Sequence, residues 1–156
     1  KTIDFVIQTM SELNKKAAEV LQKFNVSACT DVTGFGLMGH LSELTTASKV
    51  DVDILLGQVP IIDEAREFAS GNIVPGGSIN NRDYFSKYID WSDSISDLDK
   101  IILSDAQTSG GLLFTVNPEQ KDEIIRALKA NGIEYASHIG NVTNDGNGLI
   151  SVRKTN

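Results

Sequence analysis

The segment Ala28-Cys29-Thr30-Asp31-Val32-Thr33-Gly34-Phe35-Gly36-Leu37-Met38-Gly39-His40 runs from a short extended piece into a glycine-rich turn and then into a helix. Ser27 to Thr33 supplies the extended part. From Gly34 to about Ser48, Phe35, Leu37, Met38, Leu41 and Leu44 recur at helical spacing, with Thr33 as the candidate N-cap. Upstream, Ile3, Val6, Ile7, Met10, Leu13, Ala17, Val20, Leu21 and Phe24 predict one amphipathic helix, with Glu12, Lys15, Lys16, Glu19 and Lys23 on its opposite side. Downstream, Val50 to Leu56 starts by alternating apolar and acidic residues, as a strand with one wet face does.

Pro60 opens a predicted helix that ends near Gly71, and Asn72 to about Asp97 reads as a long ordered loop. Leu98 to Leu103 is a short helix or turn, and Gly111 to Val116 an apolar strand. Asn117-Pro118-Glu119 caps a helix that stops at Asn131-Gly132. Strands near Tyr135 to Val142 and Leu149 to Val152 flank Asn144-Asp145-Gly146-Asn147-Gly148, a hairpin signal. The order α-β-α-β-α, loop, α-β-α-β-β predicts an α+β fold whose last β-α-β-β is partly ferredoxin-like.

A chain of 156 residues with 40% apolar and 22% charged residues suits a single domain with one real core. The net charge of −7, with no basic cluster longer than Lys15-Lys16, argues against nucleic acid as a partner. No run approaches the roughly 20 apolar residues that span a bilayer, so no membrane role is expected and a cytoplasmic location is. The lone Cys29 fits a reducing compartment. The chain opens at Lys1 without methionine, directly into an amphipathic pattern, which points to a piece of a longer protein.

Three stretches hold the candidate chemistry. Asp31 ahead of Thr33-Gly34-Phe35-Gly36 combines a hard oxygen ligand with free backbone N–H groups, a combination that can hold Mg²⁺ against phosphate oxygens. Equally, Asp31 can cap the helix while the glycines only permit close packing. Gly34, Gly36 and Gly39 also match the G-x-G-x-x-G spacing of a dinucleotide-binding turn, with Asp51 or Asp53 near the distance of a ribose ligand. Thr30 and Asp31, however, interrupt the apolar strand that such a turn needs. Ser104 to Phe114 places a polar, glycine-containing turn before a strand, where Thr108, Ser109, Gly110 and Gly111 either approach a ligand or simply make the turn. Pro75-Gly76-Gly77-Ser78 with Asn80 and Asn81 is a rigid turn bearing amides that cap the loop or touch ligand oxygens.

Taken in this order, TDVTGFGLMGHLSE, VPGGSINN and SDAQTSGGLLFTV resemble the C-terminal half of the selenophosphate synthetases, from about Lys1 to the end of the chain. More distantly the layout is similar to the C-terminal domain of the aminoimidazole ribonucleotide synthetase superfamily, which implies a three-layer α/β/α arrangement on a mixed sheet. The resemblance implies an enzyme that makes selenophosphate from selenide, ATP and water, with AMP and phosphate as products. Its ATP would lie between two domains. Residues 1–156 would be the C-terminal one, and a separate N-terminal domain would carry the nucleophile, an essential lysine, the other metal-binding aspartates and most of the oligomer contact. Asp31 would then be the Mg²⁺ ligand of this half. Thr33, Gly34, Asn81 and Thr108 to Gly111 would neighbour the nucleotide, and no catalytic residue would lie in this chain. Ala106 stands where the family usually has proline, and Asn80 where a basic residue is common. A non-catalytic relative that kept the scaffold is the remaining alternative.

Cys29, beside Asp31, invites the role of nucleophile, but a lone cysteine on a short strand is commonly a small packing residue. His40, two turns into a helix, and His138, in a late strand, suit packing or capping better than catalysis. Trp91 stands in the acidic stretch Asp90 to Asp99 and reads as an amphipathic ring over the core edge.

Overall fold

A computed structural model describes residues 2–154. The chain forms α1 (Thr2–Ser11), α2 (Lys15–Leu21), β1 (Val26–Asp31), α3 (Gly36–Ser48), β2 (Val50–Leu55), α4 (Asp63–Ser70), α5 (Gly76–Phe85), β3 (Ile89–Trp91), α6 (Asp97–Leu103), β4 (Leu112–Val116), α7 (Lys121–Ala130), β5 (Gly140–Asp145) and β6 (Ile150–Arg153). This is a mixed α/β fold. A four-stranded mixed sheet has the order β3-β6-β2-β5, and an antiparallel pair, β1-β4, stands apart from it.

Two apolar clusters hold these layers together. The larger joins Met38 and Leu41 of α3, Phe85 of α5 and Leu103 of α6 to Val52, Ile54, Ile89, Ile150 and Val152 of the mixed sheet. The smaller packs Val20 and Leu21 of α2 on Ile124 and Leu128 of α7, over Leu112, Phe114 and Val116 of β4. Val32 and Leu113 belong to the larger cluster, so the turn after β1 is anchored from below by the main core.

Three expectations are corrected. The first amphipathic run is two helices, because Asn14, a poor helix-interior residue, opens a new helix by accepting the Ala18 N–H at 2.9 Å. Residues 72–97 are not a loop. The inward face of α5 is polar, with Ser78 and Phe85 buried seven residues apart, so its helical stripe has only one apolar member. Trp91, accordingly, sits on β3 and packs half-buried against the main core. The last two strands do not form a hairpin: β2 lies between them, antiparallel to β5 and parallel to β6. Asp51 of β2 explains the separation, since its Oδ1 accepts the N–H groups of Asn147, Gly148 and Leu149 at 3.1, 3.2 and 2.9 Å and holds the connecting turn over the end of β2.

Candidate functional site

β1 delivers Asp31 to the edge of the molecule, and the chain then dives inward at Val32, which is 5% exposed. Asp31 is exposed, and its carboxylate has no hydrogen bond or ion pair among the described residues. The next turn is fixed by its backbone: Thr33 O accepts the N–H of Gly36 at 2.9 Å and that of Gln107 at 3.0 Å. Gly36 begins α3 at φ +69, and a Cβ there would stand 2.6 Å from Asp105 O and 2.7 Å from Ser104 C and O. The turn is therefore pressed directly on the segment before β4, in a conformation that only glycine adopts without strain.

The other two stretches meet this turn. Asn81 on α5 donates from Nδ2 to Gly34 O at 2.9 Å and to Ser104 O at 3.1 Å, clamping the first stretch to the third. Ser78, fully buried one turn earlier, donates to Asp105 Oδ1, while Gln107 Nε2 reaches Asp105 Oδ2 at 3.2 Å. Gly110 N–H donates to Val32 O at 2.9 Å, and Val32 N–H to Gly111 O at the same distance. Segments 31–36, 75–81 and 104–111 thus form one cluster at the end of β1.

Within it the glycines divide into two kinds. Gly110 is forced by contact, with its absent Cβ only 2.7 Å from Val32 O, and Gly111 by φ +83. Gly34 and Gly76 have neither reason: a Cβ on either would meet nothing within 4 Å, and neither needs a positive φ. Both face open space beside Asp31's turn and the start of α5. Ser109 is turned away, its hydroxyl donating to Glu12 O at 3.2 Å, and Thr108 is exposed on the same turn. Thr33 does not cap α3, because its hydroxyl lies 3.0 Å from His40 Nε2 and the helix starts three residues later.

Asp105 and Ser78 lie in the candidate stretches without having been given a role of their own, and His40 and Glu43 stand beside the cluster through Thr33. Asp105 was visible as the acidic residue ahead of the glycine turn. Ser78 was hidden by the loop reading of its segment. His40 has a packing role, as expected, but both of its ring nitrogens are also engaged, Nδ1 lying 3.1 Å from Glu43 Oε2. Cys29 is an exposed thiol whose pKa is raised, by burial first and by the charge of Asp31 second, so it is held away from the reactive thiolate.

The three segments contain no lysine, arginine or histidine, and two aspartates. Such a surface repels a bare polyphosphate and attracts a cation. Among the described residues no group of three or more His, Cys, Asp and Glu side chains is placed to hold an ion. An exposed carboxylate without a partner can offer one oxygen to a hard cation, as Mg²⁺ takes one or two carboxylates and fills its remaining positions with water and phosphate oxygens. A closed zinc cage does not fit.

The dinucleotide alternative fails on topology. It needs β1 and β2 parallel in one sheet, yet β1 pairs with β4, antiparallel, and β2 lies in the other sheet. Gly39 is packed against Phe35 and Phe85, and the Asp51 carboxylate is taken up by backbone N–H groups. Among the described residues no helix is long and apolar enough to cross a membrane.

Residues 3–153 match the family described as AIR synthase related protein, C-terminal domain. Among curated proteins, the chain is 44% identical over 140 residues to the selenide, water dikinase of Pelobacter propionicus, covering 90% of this chain and 40% of that protein. It is 41% identical over 149 residues to the protein of the same name from Carboxydothermus hydrogenoformans, and 43% over 149 to that from Clostridioides difficile. Each of these alignments covers 96% of this chain and 43% of the relative. The chain thus spans about two-fifths of the length of these relatives.

Proposed function

The chain belongs to the AIR synthase related family as a C-terminal domain, and from that premise we propose that it is the C-terminal half of a selenide, water dikinase. In this reading it completes a Mg²⁺–ATP site shared with an N-terminal domain, at which selenide, ATP and water give selenophosphate, AMP and phosphate. The observation that carries the reading is the free, exposed Asp31 carboxylate at the point where the three segments converge.

Each part of the cluster has a task. Asp31 offers a hard anionic oxygen to the metal. Gly34 and Gly76, unneeded by packing, leave room for a ligand to approach the backbone. Asn81 and Asp105 hold the segments in register, so that Asp31 keeps its position when the site fills. Mg²⁺ bound at Asp31 would neutralise phosphate charge during phosphoryl transfer. With no basic side chain in these segments, the remaining positive charge and the nucleophile would come from the other domain, and this chain alone would not turn over ATP. The same reading places the enzyme in the cytoplasm and its oligomer contact on the other domain.

The test is Asp31→Asn in the intact two-domain protein, with AMP formation and Mg²⁺-dependent ATP binding measured beside a thermal melt. The expected result is an unchanged melt with AMP formation reduced at least about a hundredfold, the order of loss when one electrostatic stabiliser of a transition state is removed. Undiminished activity would move the chain to the non-catalytic alternative.

A further inference from the structure

α1 departs from the other amphipathic helices of this chain. Val20 and Leu21 of α2 are 3% and 5% exposed, and Ile124 and Leu128 of α7 are 1% and 2% exposed. In α1, Ile3, Ile7 and Met10 stand at i, i+4 and i+7 on one side of the helix, yet they are 73%, 55% and 43% exposed, and Leu13 just beyond them is 77% exposed. No residue of α1 is buried, and none belongs to either apolar cluster. The positions partly covered by the rest of the chain are Thr2, Val6 and Thr9, two of them polar. Thr2 Oγ1 donates to Glu64 Oε1 at 2.9 Å, and the Phe5 ring meets Tyr135 edge-on at a centroid distance of 6.3 Å. A single exposed apolar side chain is ordinary, but a stripe of them on one helix marks a contact surface.

The place of the stripe says what covers it. Just past α1, Glu12 O accepts the Ser109 hydroxyl at 3.2 Å, so this end of the helix is tied to the glycine turn of the candidate site. That site holds two aspartates and no lysine, arginine or histidine in its three segments, so whatever docks beside it meets a surface in need of cations. The chain matches its relatives as a C-terminal domain over about two-fifths of their length, which leaves a larger part of such a protein to lie against it.

We propose that the Ile3–Ile7–Met10 stripe of α1, continued by Leu13, is the seat of the N-terminal domain of the intact protein, and that docking there brings that domain's cationic groups over the Asp31 cluster. The inference rests on the two-domain part of the reading above and names the surface through which the shared site closes. The stripe supplies the apolar anchors, and the polar residues around it form the rim of the interface.

Hydroxyl-radical footprinting of the intact protein tests it, each residue's labelling rate being normalised to that of the urea-unfolded chain. Met10 should be protected about tenfold or more, as in a close-packed interface core. Labelling at the rate that its 43% exposure allows would overturn the proposal. Protection that fades on dilution would assign the stripe to a second copy and overturn it equally.

Ile7→Asp and Gln8→Asp, two exposed neighbours of which only Ile7 belongs to the stripe, carry the test to activity, each checked by thermal melt. Ile7→Asp should release the protection of Met10 and lower AMP formation by about tenfold to a hundredfold, the order lost when reacting groups are displaced by about 1 Å. Gln8→Asp should leave both within about twofold, as an isolated surface change does. On an uncovered helix Ile7→Asp would be as silent as Gln8→Asp, and that outcome overturns the proposal. If Ile7→Asp does not fold, the footprint of the parent protein decides alone. Met10 protected with Asp31→Asn silent would leave the docking surface standing while the Mg²⁺–ATP reading falls; Asp31→Asn inactive with Met10 freely labelled would sink this proposal by itself.

Discussion

Gly36→Ala and Gly34→Ala, two residues apart in one turn, should behave in opposite ways. At position 36 the added methyl would stand 2.6 Å from Asp105 O and 2.7 Å from Ser104 C and O, all backbone atoms that cannot rotate aside. The residue also sits at φ +69. Left-handed backbone costs an alanine about 1–2 kcal/mol, and overpacking about 1–3 kcal/mol. The sum is about 2–5 kcal/mol. At about 2–4 °C per kcal/mol for a domain of this size, Tm should fall by about 4–20 °C. At position 34 the methyl enters open space at an ordinary φ, so Tm should stay within about 2 °C while nucleotide-dependent activity of the intact protein falls. Differential scanning calorimetry of the two variants decides the matter. Equal Tm losses, or none at Gly36→Ala, would refute the division of these glycines into packing and ligand-facing kinds.

Asp51 gives a pH prediction. Its pKa is lowered, foremost by the Leu149 N–H, against a desolvation cost and with further help from Asn144, Asn147 and Gly148. A carboxyl that is more acidic when folded contributes stability above its unfolded pKa and loses it as pH falls through the folded value. Asp51→Asn should therefore lower Tm at pH 7 and flatten the fall of Tm between about pH 5 and pH 2; an acid limb parallel to that of the parent protein would contradict this. Ile150→Ala, at a fully buried position of β6, should cost about 2–5 kcal/mol in urea unfolding, and a loss below about 1 kcal/mol would argue against the core described. Cys29→Ser should leave the turnover of the intact protein within about twofold, because a thiol held protonated beside Asp31 is not the nucleophile.

Much of the fold, and the three segments that meet at the candidate site, could be read in the residues. Met38, Leu41 and Leu44 announced α3, Asn117-Pro118 and Asn131-Gly132 bracketed the last helix region, and Asp31 stood out as a carboxylate before a glycine turn. What stayed hidden depended on contacts distant in sequence. The buried face of α5 carries Ser78 and Asn81, whose partners are Asp105, Gly34 and Ser104, so polar residues fill places where periodicity looks for apolar ones. The hairpin signal at 144–148 was chemically sound for a turn, yet it could not show that β2 would lie between the two strands. His40 was legible only as a histidine on a helix, because its partner Thr33 lies across the turn and their distance depends on how that turn folds.

The most direct measurement is a crystal structure of the intact protein with Mg²⁺ and a non-hydrolysable ATP analogue. An Asp31 carboxylate oxygen should lie about 2.0–2.1 Å from a metal ion that also contacts phosphate oxygens, with Gly34 and Gly76 facing the nucleotide. A metal and triphosphate bound entirely by other residues, with Asp31 still free in solvent, would contradict the assignment.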